Sequence, residues 1–268
     1  MNIANPDAEL HLLQISDCHL YADPKGTLLG LNTLDSLQQV LHEACNAAAP
    51  DFVVISGDLV HDGTRAGYNN LAHALKRAGC PCAAIPGNHD HALTLQDTLG
   101  KKGIRTGGHV DIGNWRLVLL NSQVPGQEHG HLSQHELDIL DRALEDTNSH
   151  ILLFLHHQPV PIGSRWLDNI GLDNGDALLS RVRDDLRVKG ICWGHVHQSW
   201  EGQLGHIRLM ATPSTCIQFA PGQPGFGLDT APPGWRDIIL GASGEITSKT
   251  HHLTKMPQGL IADSAGYC

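Results

Sequence analysis

The sequence predicts an α/β protein with a parallel sheet built from strand–helix–strand units, followed by a second sheet containing antiparallel pairs. Three observations predict it. Short apolar runs alternate with amphipathic stretches through most of the chain. After Trp200 the helical periodicity stops and short strand-like runs follow one another. Five of the apolar runs end in residues able to bind a metal.

The elements follow in order. Residues 10–15 form an apolar run of strand length, and residues 31–48 have helical spacing with Leu31, Leu34, Leu37, Val40, Leu41 and Ala44 on one face. Residues 51–55 (DFVVI) are a second strand, residues 66–78 a second helix closed by Gly79, and residues 81–85 a third strand. A turn signal at Gly113-Asn114 precedes a strand over 115–120. Residues 133–145 are a helix, with Ser133 at the N-cap and Glu136 three positions on, the pattern of a capping box. Strands over 151–155 and 188–193 enclose a helix near 176–187, and the last strands are 207–210, 216–219, 236–240 and 245–250. The Gly/Pro-rich stretch 221–234 is a loop rather than a linker, and no repeat of solenoid period is present. A single domain over residues 1–268 is expected, with a loose C-terminal tail from about residue 256.

Composition narrows the function classes. The chain has 268 residues, 41% hydrophobic and 17% charged, which excludes disorder as the main state. Lys plus Arg is 18 and Asp plus Glu is 28, a net charge of −10 with no basic run. That argues against nucleic-acid partners and anionic membrane surfaces. The start MNIANPDAEL has neither a basic n-region nor an apolar h-region, so no secretory signal is expected. Purely apolar stretches reach about five residues against the ~20 of a membrane span. Seven scattered cysteines, an odd number, read as reduced thiols in the cytoplasm. Histidine is abundant, 19 residues against 4 Phe and 3 Tyr, and it is a common metal ligand.

The strand ends carry the chemistry. Asp17-Cys18-His19 follows the first strand, Gly57-Asp58 the second, Gly87-Asn88-His89-Asp90 the third, His156-His157 the strand over 151–155, and Gly194-His195-Val196-His197 the strand over 188–193. In α/β sheets ligands bind beyond the carboxyl ends of strands, so parallel strands would bring these residues to one edge. Asp17 and His19, like His195 and His197, are two apart, and in an extended segment such pairs project to one side. Gly57-Asp58 alone is ordinary turn chemistry; the ordered series is not. Mixed oxygen and nitrogen ligands suit Mn, Fe or Zn, and Asp58 is suited to bridge two cations.

The series D-x-H, G-D, G-N-H-D, H and G-H-x-H resembles the calcineurin-like metallophosphoesterase superfamily. The segments SDCHLYADPKGTLLGLNT, NSQVPGQEHGHLS, HHQPVPIGSRWLDNIGLDN and ATPSTCIQFAPG are similar to the bacterial class III 3′,5′-cyclic AMP phosphodiesterases. The resemblance implies an αββα sandwich of two mixed β-sheets flanked by helices. It also implies two metal ions, divalent or of mixed valence, with Fe and Mn first and Zn as a further candidate. Asp17, His19, Asp58 and His197 would hold one ion, and Asp58, Asn88, His156 and His195 the other. His89 would be the catalytic, phosphate-contacting histidine, and the phosphate would touch His19, Asp58, Asn88, His89 and His197. The implied activity is hydrolysis of cyclic AMP to 5′-AMP by a two-metal-activated hydroxide. Glycerophosphodiesters or 2′,3′-cyclic nucleotides are alternative substrates, and a non-catalytic interaction module is an alternative of another class. The partner is a small-molecule cyclic nucleotide, with a homodimer left open. One position departs from the family: three residues after Asp58 many members carry an acid, where this chain has His61 followed by Asp62. Whether Asp62 orients His89 is left to the structure.

Other residues are given lesser roles. Cys80-Pro81-Cys82 reads as a strand start and Cys18 as a small packed residue pointing away from its neighbours. His157 should face away from His156. Arg165 and Trp166 fall in a long loop after a ligand-bearing strand, where either a substrate contact or a buried anchor is expected.

Overall fold

Apolar runs this continuous need cover on both faces of a sheet, and the structure provides it in four layers. The computed structural model describes residues 9–145, 147–261 and 266. The strands are β1 Leu10–Ile15, β2 Thr27–Leu28, β3 Leu31–Asn32, β4 Phe52–Ser56, β5 Cys82–Ile85, β6 Gly108–Ile112, β7 Trp115–Leu119, β8 His150–Phe154, β9 Val188–Trp193, β10 Trp200–Leu204, β11 Ile207–Ala211, β12 Gly234–Leu240 and β13 Ile246–His252. The helices are α1 Thr33–Ala47, α2 Arg65–Ala74, α3 Ala92–Gly100, α4 Gln134–Glu145, α5 Arg165–Asp168 and α6 Gly175–Val182.

One sheet has the order β13-β12-β1-β4-β5 and the other β10-β11-β9-β8-β7-β6. Strand alternation sorts β1 between layers. Leu10 and Leu12 meet Leu117, Leu152, Phe154 and Met210 of the facing sheet, while Leu13 and Ile15 pack under α1, α2 and α3. The second sheet is covered outside by α4 and α6 through Leu137, Leu140, Leu178 and Val182. This is an αββα sandwich.

Both sheets are mixed, as the family resemblance implied, whereas the residue-based division into an early parallel sheet and a late sheet with antiparallel pairs does not hold. β1, β4 and β5 are parallel, and the late strands β12 and β13 extend that same sheet antiparallel. In the other sheet β7, β8, β9 and β11 are parallel, with β6 and β10 antiparallel at the edges. The ligand-bearing strand ends are therefore split, three on one sheet and two on the other, and they meet at one edge of the sandwich. Gln14 Nε2 donates to Ser56 Oγ at 2.9 Å and to Trp193 O of the opposite sheet at 3.3 Å.

Local corrections have local causes. The first helix starts at Thr33 rather than 31, because Leu31–Asn32 pairs with Thr27–Leu28 and Asn32 caps the helix by accepting from Asp35 N at 2.8 Å. Leu31 then joins the core of the second sheet instead of the helix face. The N-cap half of the expected capping box forms, Glu136 N to Ser133 Oγ at 3.3 Å, but the Glu136 carboxylate accepts from Asn121 N at 2.9 Å. The strand expected over 216–219 is absent: Ser214 N and O are tied to the Gln218 side chain, and Phe219 makes only an isolated bridge to Leu228. β6 and β10 went unanticipated because edge strands carry polar residues that mask alternation. Among the described residues beyond 256 no regular element forms, yet Met256 and Leu260 pack on the core and Ile261 N donates to Leu29 O at 2.8 Å. Residues 262–265 and 267–268 of the expected tail, like residues 1–8, lie outside the described residues.

Arg236 on β12 ties the sheets together. Fully buried, it donates to Glu201 Oε1 on β10 at 2.6 Å, to Ala211 O on β11 at 2.7 Å and to Ser248 Oγ at 2.8 Å. Arg236→Ala removes all three of these hydrogen bonds and leaves a side-chain-sized gap. Urea unfolding is expected to show a loss of about 2–4 kcal/mol. An unchanged midpoint would show that this bridge adds no net stability.

Candidate metal centre

The strand ends do not simply stop. The parallel pairing of β1 with β4 continues into the loops, with Asp17 N donating to Gly57 O and His19 N to Asp58 O, both at 2.9 Å. On the other sheet Gly194 N donates to His156 O at 3.1 Å. Across the sheets Thr215 N donates to Ser16 O at 3.0 Å. Asp17, His19, Asp58, His195 and His197 have φ of 53°, 45°, 50°, 65° and 47°. These are five of the six non-glycine residues with positive φ among the described residues. The extended-segment expectation for the two i, i+2 pairs is thus corrected. Left-handed turns, not strand pleating, aim the side chains. Cys18, between two of these residues, packs into the helix-covered core.

The structure brings all seven expected ligand residues together. On one side Asp17 Oδ1 lies 3.3 Å from His197 Nε2, and His197 Nε2 lies 3.2 Å from His19 Nε2. On the other, Asn88 Oδ1 lies 3.3 Å from His156 Nε2 and 3.1 Å from His195 Nδ1. Asp58 stands between, its Oδ2 3.8 Å from His19 Nε2 and 3.4 Å from His156 Nε2. Glycine is needed for this convergence. A Cβ on Gly87 would run into Asp58 Oδ1 and come within 2.7 Å of His156 Nε2, and one on Gly194 would run into Ser16 Oγ.

The donor set fits metal ions. His156 Nδ1 lies 2.8 Å from Ser56 O and His197 Nδ1 2.8 Å from Ile217 O. A carbonyl only accepts, so each Nδ1 carries hydrogen and each Nε2 can turn a lone pair toward the centre. Burial lowers His19 and brings His195 down to about 3, which keeps these imidazoles neutral as ligation requires. Burial opposes ionisation of Asp58, but His156 beside it, with His89 and His19 behind, more than offsets this and holds the carboxyl low. The same contact acts in reverse at His156, where burial disfavours charge and Asp58 overrides it, raising the imidazole to about 9.

His89 belongs to the same cluster. Its backbone N–H donates to Asp58 Oδ1 at 2.9 Å, and its ring stacks on His61 at 4.6 Å between centroids. His61 occupies the position of the family's second acid, 3.2 Å from His19 Nδ1 through its own Nδ1. Asp62 does not orient His89: its carboxylate accepts from Ala22 N at 2.8 Å and from Thr64 N and Oγ1. His157, expected to face away, lies against the centre, 4.6 Å from the His195 ring, because strand pleating ends at Phe154. Its two nitrogens are engaged by Ser122 Oγ and Glu128 O.

Trp166 is half-buried and lines a cavity of about 420 Å³ beside Asn88, His89 and His195. A larger cavity of about 880 Å³, bordered by Cys82, Arg105 and His109, is lined by none of the seven residues. The sequence reading gave no role to Asp90, although it closes the Gly87-Asn88-His89-Asp90 tetrapeptide. The buried Asp90 carboxylate accepts from Leu59 N at 3.0 Å, Val60 N at 3.1 Å, Gly87 N at 2.9 Å and Tyr68 Oη at 3.0 Å. It braces the Asp58 loop against the Asn88 loop. Burial, with Asp58 nearby, raises it to about 7. Gln123 Nε2 joins the brace at Gly87 O, 2.9 Å, and Ser214 Oγ holds Asp17 O at 2.8 Å. Neither carries a motif that a single sequence would reveal.

An amide at position 90 would turn an NH₂ group toward backbone donors. Asp90→Asn is therefore expected to cost about 2–4 kcal/mol in urea unfolding and to lower metal content after dialysis. Wild-type values on both counts would remove the brace from the account.

Comparison with known proteins agrees with this architecture. Residues 10–199 match the model of the calcineurin-like phosphoesterase family. The chain is 41% identical over 251 residues to the 3′,5′-cyclic adenosine monophosphate phosphodiesterase CpdA of Escherichia coli K12, covering 92% of this chain and 91% of that protein. It is 37% identical over 269 residues to the Pseudomonas aeruginosa protein of the same name, covering 99% and 98%. A dimetal phosphatase from Danio rerio superposes with a TM-score of 0.63 over 90% of this chain and 98% of that one, at 16% identity, a likeness of fold. The chain belongs to the calcineurin-like phosphoesterase family.

Proposed function

We propose that this protein is a metal-dependent phosphodiesterase that hydrolyses 3′,5′-cyclic AMP to 5′-AMP. The observation that carries the reading is the convergence of seven ligand-type side chains and His89 at one edge of the sandwich. Its likeness to the CpdA proteins over nine tenths of the chain supports the substrate. Asp17, His19, Asp58 and His197 would hold one ion and Asp58, Asn88, His156 and His195 the second, with Fe and Mn the leading candidates and Zn also suited to the donors. The reading takes the whole chain as one metallophosphoesterase domain acting on a small molecule in the cytoplasm. Among the described residues no helix is long and apolar enough to cross a membrane.

When bound, the two ions supply Lewis acidity and make water a competent nucleophile at neutral pH. The protein's own groups do the rest. The hydrogen bond from His89 N to Asp58 Oδ1 and the stack on His61 fix the His89 imidazole beside the cavity. From there it contacts a phosphoryl oxygen and, when protonated, gives a proton to the departing 3′-oxygen. Water's oxygen bonds to phosphorus, the bond from phosphorus to the 3′-oxygen breaks, and the product keeps its phosphate on the 5′-oxygen.

The test is turnover of cyclic AMP by metal-free protein reloaded separately with Mn, Fe and Zn. Faster turnover of glycerophosphodiesters or 2′,3′-cyclic nucleotides would overturn the substrate assignment. Asp58→Asn is expected to lose metal as well as rate, because a neutral amide is a poor bridge. Two ions per chain with full activity would exclude the bridging role. His89→Ala is expected to keep both ions and lose roughly 10²–10⁴-fold in kcat. Metal content and kcat measured on one preparation separate a catalytic His89 from a structural one, which would shed metal along with rate.

A further inference from the structure

The cavity of about 420 Å³ has two unlike ends. Asn88, His89 and His195 line the end at the metal centre, and Trp166, Ile170 and Phe226 line the other. Trp166 and Phe226 are the cavity's aromatic residues, and the proposed chemistry gives neither a part. The edge-to-face contacts of Trp166, 5.1 Å to Phe219 and 5.8 Å to Phe226, hold the indole in place. Phe219 in turn stacks on the His197 ring at 4.1 Å and 13°. An unbroken aromatic chain thus runs from the cavity wall to a candidate metal ligand. The offset between this wall and His197 is set by packing rather than by a free loop.

We infer that this cavity is the nucleobase subsite, with Trp166 as its stacking wall and a determinant of specificity for diesters that carry a base. The inference rests on the cyclic-nucleotide reading above and deepens it. A glycerol or ethanolamine group offers no flat surface to an indole. A base does, and stacking on an aromatic side chain is among the strongest sequence-tolerant contacts a nucleotide makes. The phosphate then falls at the Asn88–His89–His195 end, where the reacting groups stand.

The test separates base binding from phosphate binding. In the metal-loaded enzyme, inhibition by 5′-AMP and by inorganic phosphate is measured against bis(p-nitrophenyl) phosphate, for wild type, Trp166→Leu and Trp166→Phe. Leucine preserves an apolar filler without an aromatic face, and phenylalanine restores the face. Trp166→Leu is expected to weaken 5′-AMP inhibition and raise the KM for cyclic AMP by roughly 5–100-fold. Phosphate inhibition and metal content should hold, and Trp166→Phe should recover most of the loss. Unchanged 5′-AMP inhibition in Trp166→Leu would overturn the subsite. So would an equal loss for 5′-AMP and phosphate, or a loss in Trp166→Phe as large as in Trp166→Leu. Failure of the wild type to turn over cyclic AMP would sink the proposed function separately, with the inhibition comparison still readable.

Discussion

Asp17, His19, Asp58, His195 and His197 can share one small volume only because their backbones are left-handed. For a non-glycine residue that conformation costs about 1–3 kcal/mol and persists only where the surroundings over-determine it. The surroundings here are the two sheets. Strand pairing carried past β1 and β4 holds Asp17 and His19 against Gly57 and Asp58, and the return from β9 is tied to His156. The Asp90 carboxylate, with its four donors, then locks the loop after β4 to the loop after β5. Loosening any of these would let the strained residues relax toward ordinary backbone and splay the ligands apart.

The electrostatics follow from the same crowding. Asp17 and Asp58 are fully or almost fully buried, and among the described residues their partners are histidines and backbone N–H groups, not Lys or Arg. Carboxylates buried this way are costly unless a cation compensates them. His156 faces both carboxylates, and their negative field raises its proton affinity. Cations of higher charge meet that field better, and the carbonyls at the backs of His156 and His197 have already oriented those rings to receive them. The overall charge of −10 is therefore no obstacle to an anionic substrate, because bound ions are the largest local charges in such a centre.

The frame that strains the candidate ligands also shapes the approach to them. His197 stacks on Phe219, Phe219 meets the edge of Trp166, and Trp166 and Phe226 wall the cavity. Position is transmitted through packed rings, so the cavity wall is held at a fixed offset from the converging Asp, Asn and His side chains.

Much of this was legible in the residues. Apolar runs ending in Asp, Asn and His, with glycine before Asp58, Asn88 and His195, located the strands and picked out the residues that converge, because strand burial and ligand chemistry are written in residue type. Helix signals such as Ser133 and Gly79 act over a few residues and are nearly as readable. Three things were decided only by tertiary structure. Which sheet each strand joins depends on contacts far apart in sequence, so β12 lies beside β1 and not with the strands that precede it. The aim of the converging Asp and His side chains depends on left-handed turns, which these residue types tolerate better than most but which only the surrounding loops impose. The parts played by Asp90, Gln123, Ser214, His61 and Trp166 depend on what lies opposite each one. A side chain's type sets the bonds it can make, and only the folded chain decides which partner it meets.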